Sequence, residues 1–179
     1  MKIFVLVDYQ KDFVSGALGF PRAVELDPYI AARVRKAGEE GEKVICTMDT
    51  HGPDYLETQE GKELPIPHCI LSSDGWCLYG ETAKAIRENP DPIICVYKHT
   101  FGSMTLAQQL HELAKNEEDV TIEFAGVVTN MCVISNAVIA KAALPEAKII
   151  INSKLCASFD DTLHESALAV MSSMQMTVI

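Results

Sequence analysis

Short apolar, β-branched runs recur along this chain, and each except the last is followed by a stretch with helical spacing. Lys2 to Val7, Lys43 to Met48, Ile93 to Tyr97, Val120 to Ala125 and Ala147 to Ile151 are the longer runs. They carry too few polar residues to alternate between a core and a wetted face. Such runs suit strands buried on both sides, as in parallel sheets covered by helices. Helical spacing marks Tyr29 to Glu40, Glu81 to Arg87, Thr105 to Asn116, Asn130 to Ala143 and about Asp160 to Met174. Gly41 ends the first, and Asn89 to Pro92 break the second. Ser103 or Met104 is the expected cap of the third, and Asp160 or Asp161 stands at the start of the last. Met176 to Ile179 reads as a short closing strand. Strands alternating with helices predict an α/β fold with a parallel sheet covered on both faces.

The segment from Gly52 to Tyr79 breaks this rhythm. It is rich in Gly, Pro, Ser and charge, and too long for a simple connection, which marks it as a functional loop. No repeat or linker divides the chain, so residues 1–179 are expected to form one domain. Acidic residues outnumber basic ones 25 to 15, and the net charge of −10 argues against nucleic acid or an anionic membrane as partner. No apolar run is long enough to span a bilayer, and Met1 to Val7 is too short for a signal peptide. The six cysteines are scattered without a CxxC pair, and Cys46 and Cys95 fall inside apolar runs. Reduced thiols in a cytoplasmic protein are the expectation.

Ligands of open parallel sheets bind beyond the carboxyl ends of the strands. At that end Asp8 follows the first strand, Asp49 and then His51 the second, Lys98 the third, and Cys132 the fourth after a turn at Gly126 to Asn130. Each alone has a plain reading as a loop cap, a solvated charge or packing; four on one rim make a site. Cys132 falls in the first turn of a helix, where unpaired N–H groups favour a thiolate and can bind an oxyanion. Cys132 is then the nucleophile, and Asp8 the base that takes its proton and returns it to a leaving amine. Lys98 is the cation that favours the charged forms. The intermediate is a thioester, hydrolysed by water. Asp49, His51 and His68 have the ligand types for a divalent, zinc-like ion, although on spacing alone a hydrogen-bonded or solvated histidine explains them equally well. His164 reads as part of a solvated helix face, and Cys156 as a strand-to-helix loop residue. His99 and His111 have no partner, and Met171, Met174 and Met176 read as packing.

The residues resemble the isochorismatase-like cysteine hydrolases, and within them the nicotinamidase branch. Asp8 to Phe13 with Ser15 to Leu18, Asp49 to His51, Pro67 to Cys69, Lys98 with Phe101, and Gly126 to Val133 carry the resemblance. It implies an Asp8–Lys98–Cys132 triad, a cis peptide between Val127 and Val128, and an oxyanion hole from the N–H groups of Val128 and Cys132. It also implies a metal at Asp49, His51 and His68, zinc first with iron or manganese as alternatives, that binds a pyridine nitrogen. Phe13 would pack on the substrate ring, with Gln10, Tyr55 and Val127 around the pocket. The implied fold is a three-layer α/β/α sandwich on about six strands, and a homo-oligomer is the family habit. Two positions depart from the nicotinamidase pattern. Pro65-Ile66-Pro67 precedes His68 where a Trp-Pro pair is usual, so Tyr55 or Trp76 would have to supply an aromatic wall. Asn130 stands where many nicotinamidases have Asp. The resemblance points to hydrolysis of nicotinamide or a close small amide. Another small amide or a ureido compound is the alternative, and a scaffold that has lost activity is the non-enzymatic one.

Overall fold

The apolar runs become one six-stranded sheet, all parallel, with helices on both faces. The computed structural model describes residues 1–179. In chain order the elements are β1 (Lys2–Val7), the short α1 (Lys11–Val14) and α2 (Pro21–Glu25), α3 (Asp27–Glu39), and β2 (Lys43–Asp49). Next come α4 (Gln59–Glu63), α5 (Gly80–Arg87), β3 (Ile94–Lys98), α6 (Met104–Ala114) and β4 (Thr121–Val127). A wide π-helical turn, Thr129–Val133, leads into α7 (Ile134–Ala143), followed by β5 (Lys148–Ala157), α8 (Asp161–Ser173) and β6 (Thr177–Val178).

The strand order is β3-β2-β1-β4-β5-β6. The chain builds outward from β1 to β3, returns to the middle with β4, and builds outward again. The reversal lies between β1 and β4, and a crevice opens there beyond their carboxyl ends. Alternate side chains of the strands feed two cores. Val5, Ile45 and Phe124 pack with Leu106, Ala137 and Met171 of α6, α7 and α8. Phe4, Leu6 and Val44 pack with Ala31, Val34 and Ala85 of α3 and α5. Burying each large aliphatic side chain contributes about 1.5–3 kcal/mol, so the two layers hold the sheet from both sides.

Gly126 pairs with Val7 across the reversal. Its φ is +120°, and a Cβ there would stand 2.1 Å from the Val7 carbonyl oxygen. Only glycine allows β4 so close to β1 one residue before Asp8. Asp8 itself has φ +47°, a left-handed conformation that aspartate tolerates better than most residues.

The structure differs from the sequence reading at β5, in the long loop after β2, and in residues 9–28, which read as a loop and hold α1 and α2. β5 does not stop at Ile151 but runs to Ala157. Phe124 pairs with Ile151 and Gly126 with Cys156, so β5 bulges between the two pairings. Asn152, Ser153 and Lys154 in that bulge hide the strand's continuation, and Leu155 to Ala157 then return to the core. Cys156 is therefore a fully buried strand residue, not a strand-to-helix loop residue. The long loop after β2 is also more ordered than its composition suggests. It contains a 3-10 turn (Tyr55–Glu57) and α4, whose cap Thr58 accepts the Gly61 N–H at 3.0 Å. All six cysteines are free thiols, Cys77 and Cys95 exposed and the other four buried.

Candidate active site

Lys98 ends β3 with its Nζ 2.5 Å from Asp8 Oδ2, 3.5 Å from Asp49 Oδ1 and 3.7 Å from Cys132 Sγ. All four side chains are buried. Thr47, one strand over, donates its hydroxyl to Asp8 Oδ1 at 2.7 Å and fixes the carboxylate plane. The three residues predicted as a triad thus come together from the ends of β1 and β3 and the turn after β4.

Their protonation differs from the sequence reading in one respect. The helix start and Lys98 were expected to favour a Cys132 thiolate. Burial instead pushes the thiol well above its ordinary value, Asp8 adds to this, and Lys98 pulls down without prevailing. Burial also raises Asp8, against the pull of Lys98. Burial works against charge on Lys98, but Asp8 and Asp49 hold its ammonium above the usual range. The resting arrangement is a thiol beside a carboxylate made more basic by its surroundings, with a permanent cation between them.

Met131 and Val133 both send their N–H to the Val128 carbonyl, at 3.0 and 3.2 Å, and this closes the wide turn around Cys132. The Val127–Val128 peptide is cis, and Val128 lines the same pocket as Cys132. Backbone N–H groups at such a turn are what an oxyanion needs. The turn is braced from α8 and the segment before it. Thr129 Oγ1 lies 2.9 Å from His164 Nδ1, and Ser158 donates its hydroxyl to Asn130 Oδ1 at 2.7 Å. His164 is therefore a buried residue touching the Cys132 turn, not part of a solvated face. Helical spacing alone could not show this, because Thr129 lies 35 residues away.

Asp49, His51 and His68 present ligand atoms within 4.8 Å of one another. Asp49 Oδ2 stands 2.9 Å from His51 Nε2 and 3.4 Å from His68 Nε2. His68 donates Nδ1–H to the Ile66 carbonyl at 2.8 Å, which turns its Nε2 toward the trio. Burial would raise Asp49, yet the bonds to His51 and His68 and the charge of Lys98 hold it well below the usual carboxylate range. A buried, ionised carboxylate with two imidazoles fits a zinc-like ion. Sequence reasoning missed Glu60 of α4, whose Oε1 lies 3.9 Å from His51 Nε2 and 3.8 Å from His68 Nε2. Only the order within the long loop brings it there.

Gln10, expected near the metal or pocket, is wholly buried and clamps the Asp49 peptide. It accepts the Asp49 N–H at 2.7 Å and donates to the Asp49 and Trp76 carbonyls at 2.9 and 2.8 Å. Tyr55, expected on the pocket wall, packs edge-on against both histidines and donates its hydroxyl to the Leu64 carbonyl. Trp76 is held elsewhere, bonded to Thr50 and stacked near Tyr97. Val127 belongs to the core behind the turn. Phe13 does line the pocket and meets His68 edge-on at 5.4 Å. The cavity measures about 160 Å³, with Phe13, Leu18, Leu64, Phe101, Met131 and Phe159 as apolar walls. Its polar groups include Asp49, Glu60, His68 and Cys132. Leu64 and Phe159 are among its walls, and Tyr55 and Trp76 are not.

Solved structures with this architecture include the nicotinamidase/pyrazinamidase of Bacillus subtilis, 25% identical with a TM-score of 0.87 over 99% of this chain and 98% of that one. The pyrazinamidase/nicotinamidase of Streptococcus mutans UA159 is 27% identical with a TM-score of 0.87, covering 100% of both chains. The pyrazinamidase of Pyrococcus horikoshii, solved in complex with zinc, is 22% identical with a TM-score of 0.83 over 99% and 98%. No curated protein sequence matches significantly. The model of the isochorismatase domain matches residues 2–179, and the chain belongs to the isochorismatase family.

Proposed function

We propose that this protein is a metal-assisted cysteine amidohydrolase that converts nicotinamide, or a close small amide, to the carboxylic acid and ammonia. The observation that carries this reading is Lys98 Nζ within reach of both Asp8 and Cys132, with Cys132 on the wall of a pocket that also holds Asp49 and His68. A cavity of about 160 Å³ is close in size to the ~150 Å³ that accepts a benzene ring. One six-membered ring fits it.

Asp8 takes the thiol proton as the Cys132 sulfur attacks the amide carbon. The carbonyl oxygen becomes an oxyanion, held by the Val128 and Cys132 N–H groups. Asp8 then gives its proton to the nitrogen, the C–N bond breaks, and ammonia leaves a Cys132 thioester. Water attacks the thioester, Asp8 accepts the water's proton, and the acid departs as the thiol is restored. Lys98 keeps its charge throughout and offsets the negative charge that passes between carboxylate and sulfur. Asp49, His51 and His68, with Glu60 beside them, would hold a divalent ion, zinc first, which supplies a Lewis-acid anchor for the pyridine nitrogen. Phe13 packs against the ring.

A second reading, another small amide or a ureido compound with the same triad, is favoured by Pro65-Ile66-Pro67 before His68, where the nicotinamidase pattern has a Trp-Pro pair. Ammonia release from nicotinamide and from non-pyridine amides, with and without a chelator, tests both. Chelator-sensitive release from nicotinamide is expected. Release only from non-pyridine substrates favours the second reading, and release from none removes both.

A further inference from the structure

The loop of residues 99–103 leaves β3 directly after Lys98 and enters α6, and its Thr100 and Phe101 line the pocket. Cys132 reaches the same pocket from the other half of the sheet, with β2 and β1 between β3 and β4. A side chain one turn past the cysteine ties these two arms together. Asn136 of α7 is fully buried. Its Oδ1 accepts the Ser103 N–H at 3.0 Å, and its Nδ2 donates to the Phe101 carbonyl at 3.0 Å and to the Cys132 carbonyl at 2.8 Å. Both amide hydrogens and the oxygen are used, so the side chain has one orientation that satisfies it. The loop also seats tightly on α7: a Cβ on Gly102 would come 2.5 Å from Ile139 Cδ1 and 3.2 Å from Ser135 Cβ.

We propose that Asn136 is the positioning residue that holds the Lys98–Phe101 arm against the Cys132 turn and so sets the sulfur's approach to the bound amide. The inference rests on the cysteine amidohydrolase reading above. A small displacement of either arm changes the angle between sulfur, lysine and carbonyl, and misplacement by about 1 Å far from the chemistry costs roughly 10²-fold in rate. Asn136 itself touches neither substrate nor sulfur in this scheme.

The test uses the full chain as Asn136→Ala, Asn136→Thr and Gly102→Ala. Threonine can still bond the carbonyl four residues back, that of Cys132, but cannot reach Phe101 and Ser103 together. Gly102→Ala lifts the loop from α7 without touching Asn136. Circular dichroism and metal content are expected to match wild type. Steady-state kinetics with nicotinamide should show kcat reduced about 10²-fold and KM changed far less. Alkylation of Cys132 by iodoacetamide should slow and shift in pH dependence in all three. Wild-type kcat and alkylation in folded Asn136→Thr or Gly102→Ala protein, whatever the melting temperature, would overturn the proposal and leave Asn136 a stability residue. If Asn136→Ala does not fold, the other two decide. If the wild type does not hydrolyse nicotinamide, the substrate reading fails by itself, and alkylation rates alone judge Asn136.

Discussion

Lys98 is where the pieces of the site converge, and removing its charge strands two buried carboxylates, Asp8 and Asp49. Lys98→Ala and Asp8→Asn are each expected to cost about 10²–10⁴ in kcat, and Cys132→Ala to abolish turnover in a folded protein. Groups acting as a unit are not additive, so the Asp8→Asn/Lys98→Ala double variant should be little worse than either single one. Additive losses in steady-state assays would separate the two residues into independent roles. The raised Asp8 value gives a second test. Asp8 must be unprotonated to accept the thiol proton, so kcat/KM falls as pH drops through that raised value. The acid limb of the pH profile should lie above the ordinary aspartate value of 3.8. A limb at or below it contradicts the assigned base. Asp8, Asp49, Lys98 and Cys132 were legible because each follows an apolar strand, where topology alone brings them to one rim. Glu60 and the buried contact of His164 were not, since a loop and a helix face carry no periodic signal for a distant partner.

Among the elements, α3 is fastened to β4 at the end of the sheet opposite the pocket. Arg33 Nη2 bonds Glu42 at 2.6 Å and Glu123 at 2.8 Å, its guanidinium lies over the Phe4 ring, and Asn152 donates to Glu123 at 2.9 Å. Burial raises the Glu123 carboxyl, but the bonds from Arg33 and Asn152 bring it below its usual value. A lowered folded value means that the stabilisation is complete above the unfolded value of about 4.5. It is lost as pH falls below that toward the folded value. Glu123→Gln should destabilise the fold by about 1–2 kcal/mol at neutral pH. Urea titrations at neutral and acidic pH should show a shallower acid decline in the variant than in wild type. Asn152 sits in the β5 bulge, which sequence patterning missed because its polar residues look like the end of a strand. The five longer helices and the other long strands were legible to within a few residues, because buried parallel strands have an unmistakable composition, while the short α1, α2 and α4 fall in stretches that read as loops. The wide turn around Cys132 reads as ordinary helix in sequence, since its extra width comes from the Val133 N–H reaching back five residues to the Val128 carbonyl.

For the whole molecule, the proposed metal would tie the end of β2 to the long loop through His51 and His68, closing a segment otherwise held by few strand contacts. Binding to the folded state alone contributes about 2.7 kcal/mol at a hundredfold excess over Kd. At about 2–4 °C per kcal/mol for a chain of this size, chelation should lower Tm by roughly 5–10 °C. Scanning calorimetry with and without chelator checks this, and His51→Ala should erase the difference together with the bound metal measured by elemental analysis. No helix is long and apolar enough to cross a membrane. The expected self-association is a matter for sedimentation.

The reversal in strand order divides the proposed catalytic and metal-binding residues between two lengths of chain. Asp8, Asp49, His51, His68 and Lys98 all precede the exposed stretch Lys115 to Asp119, and Cys132 follows it. The two halves of the sheet meet along β1 and β4, an apolar seam that includes Phe4, Leu6, Ile122 and Phe124. A chain cut within 115–119 would therefore yield two fragments, one with the base and metal ligands and the other with the thiol. Neither alone should release ammonia, while co-expression should restore activity through the seam. The protein would then behave as a split reporter whose signal measures the pairing of its own halves.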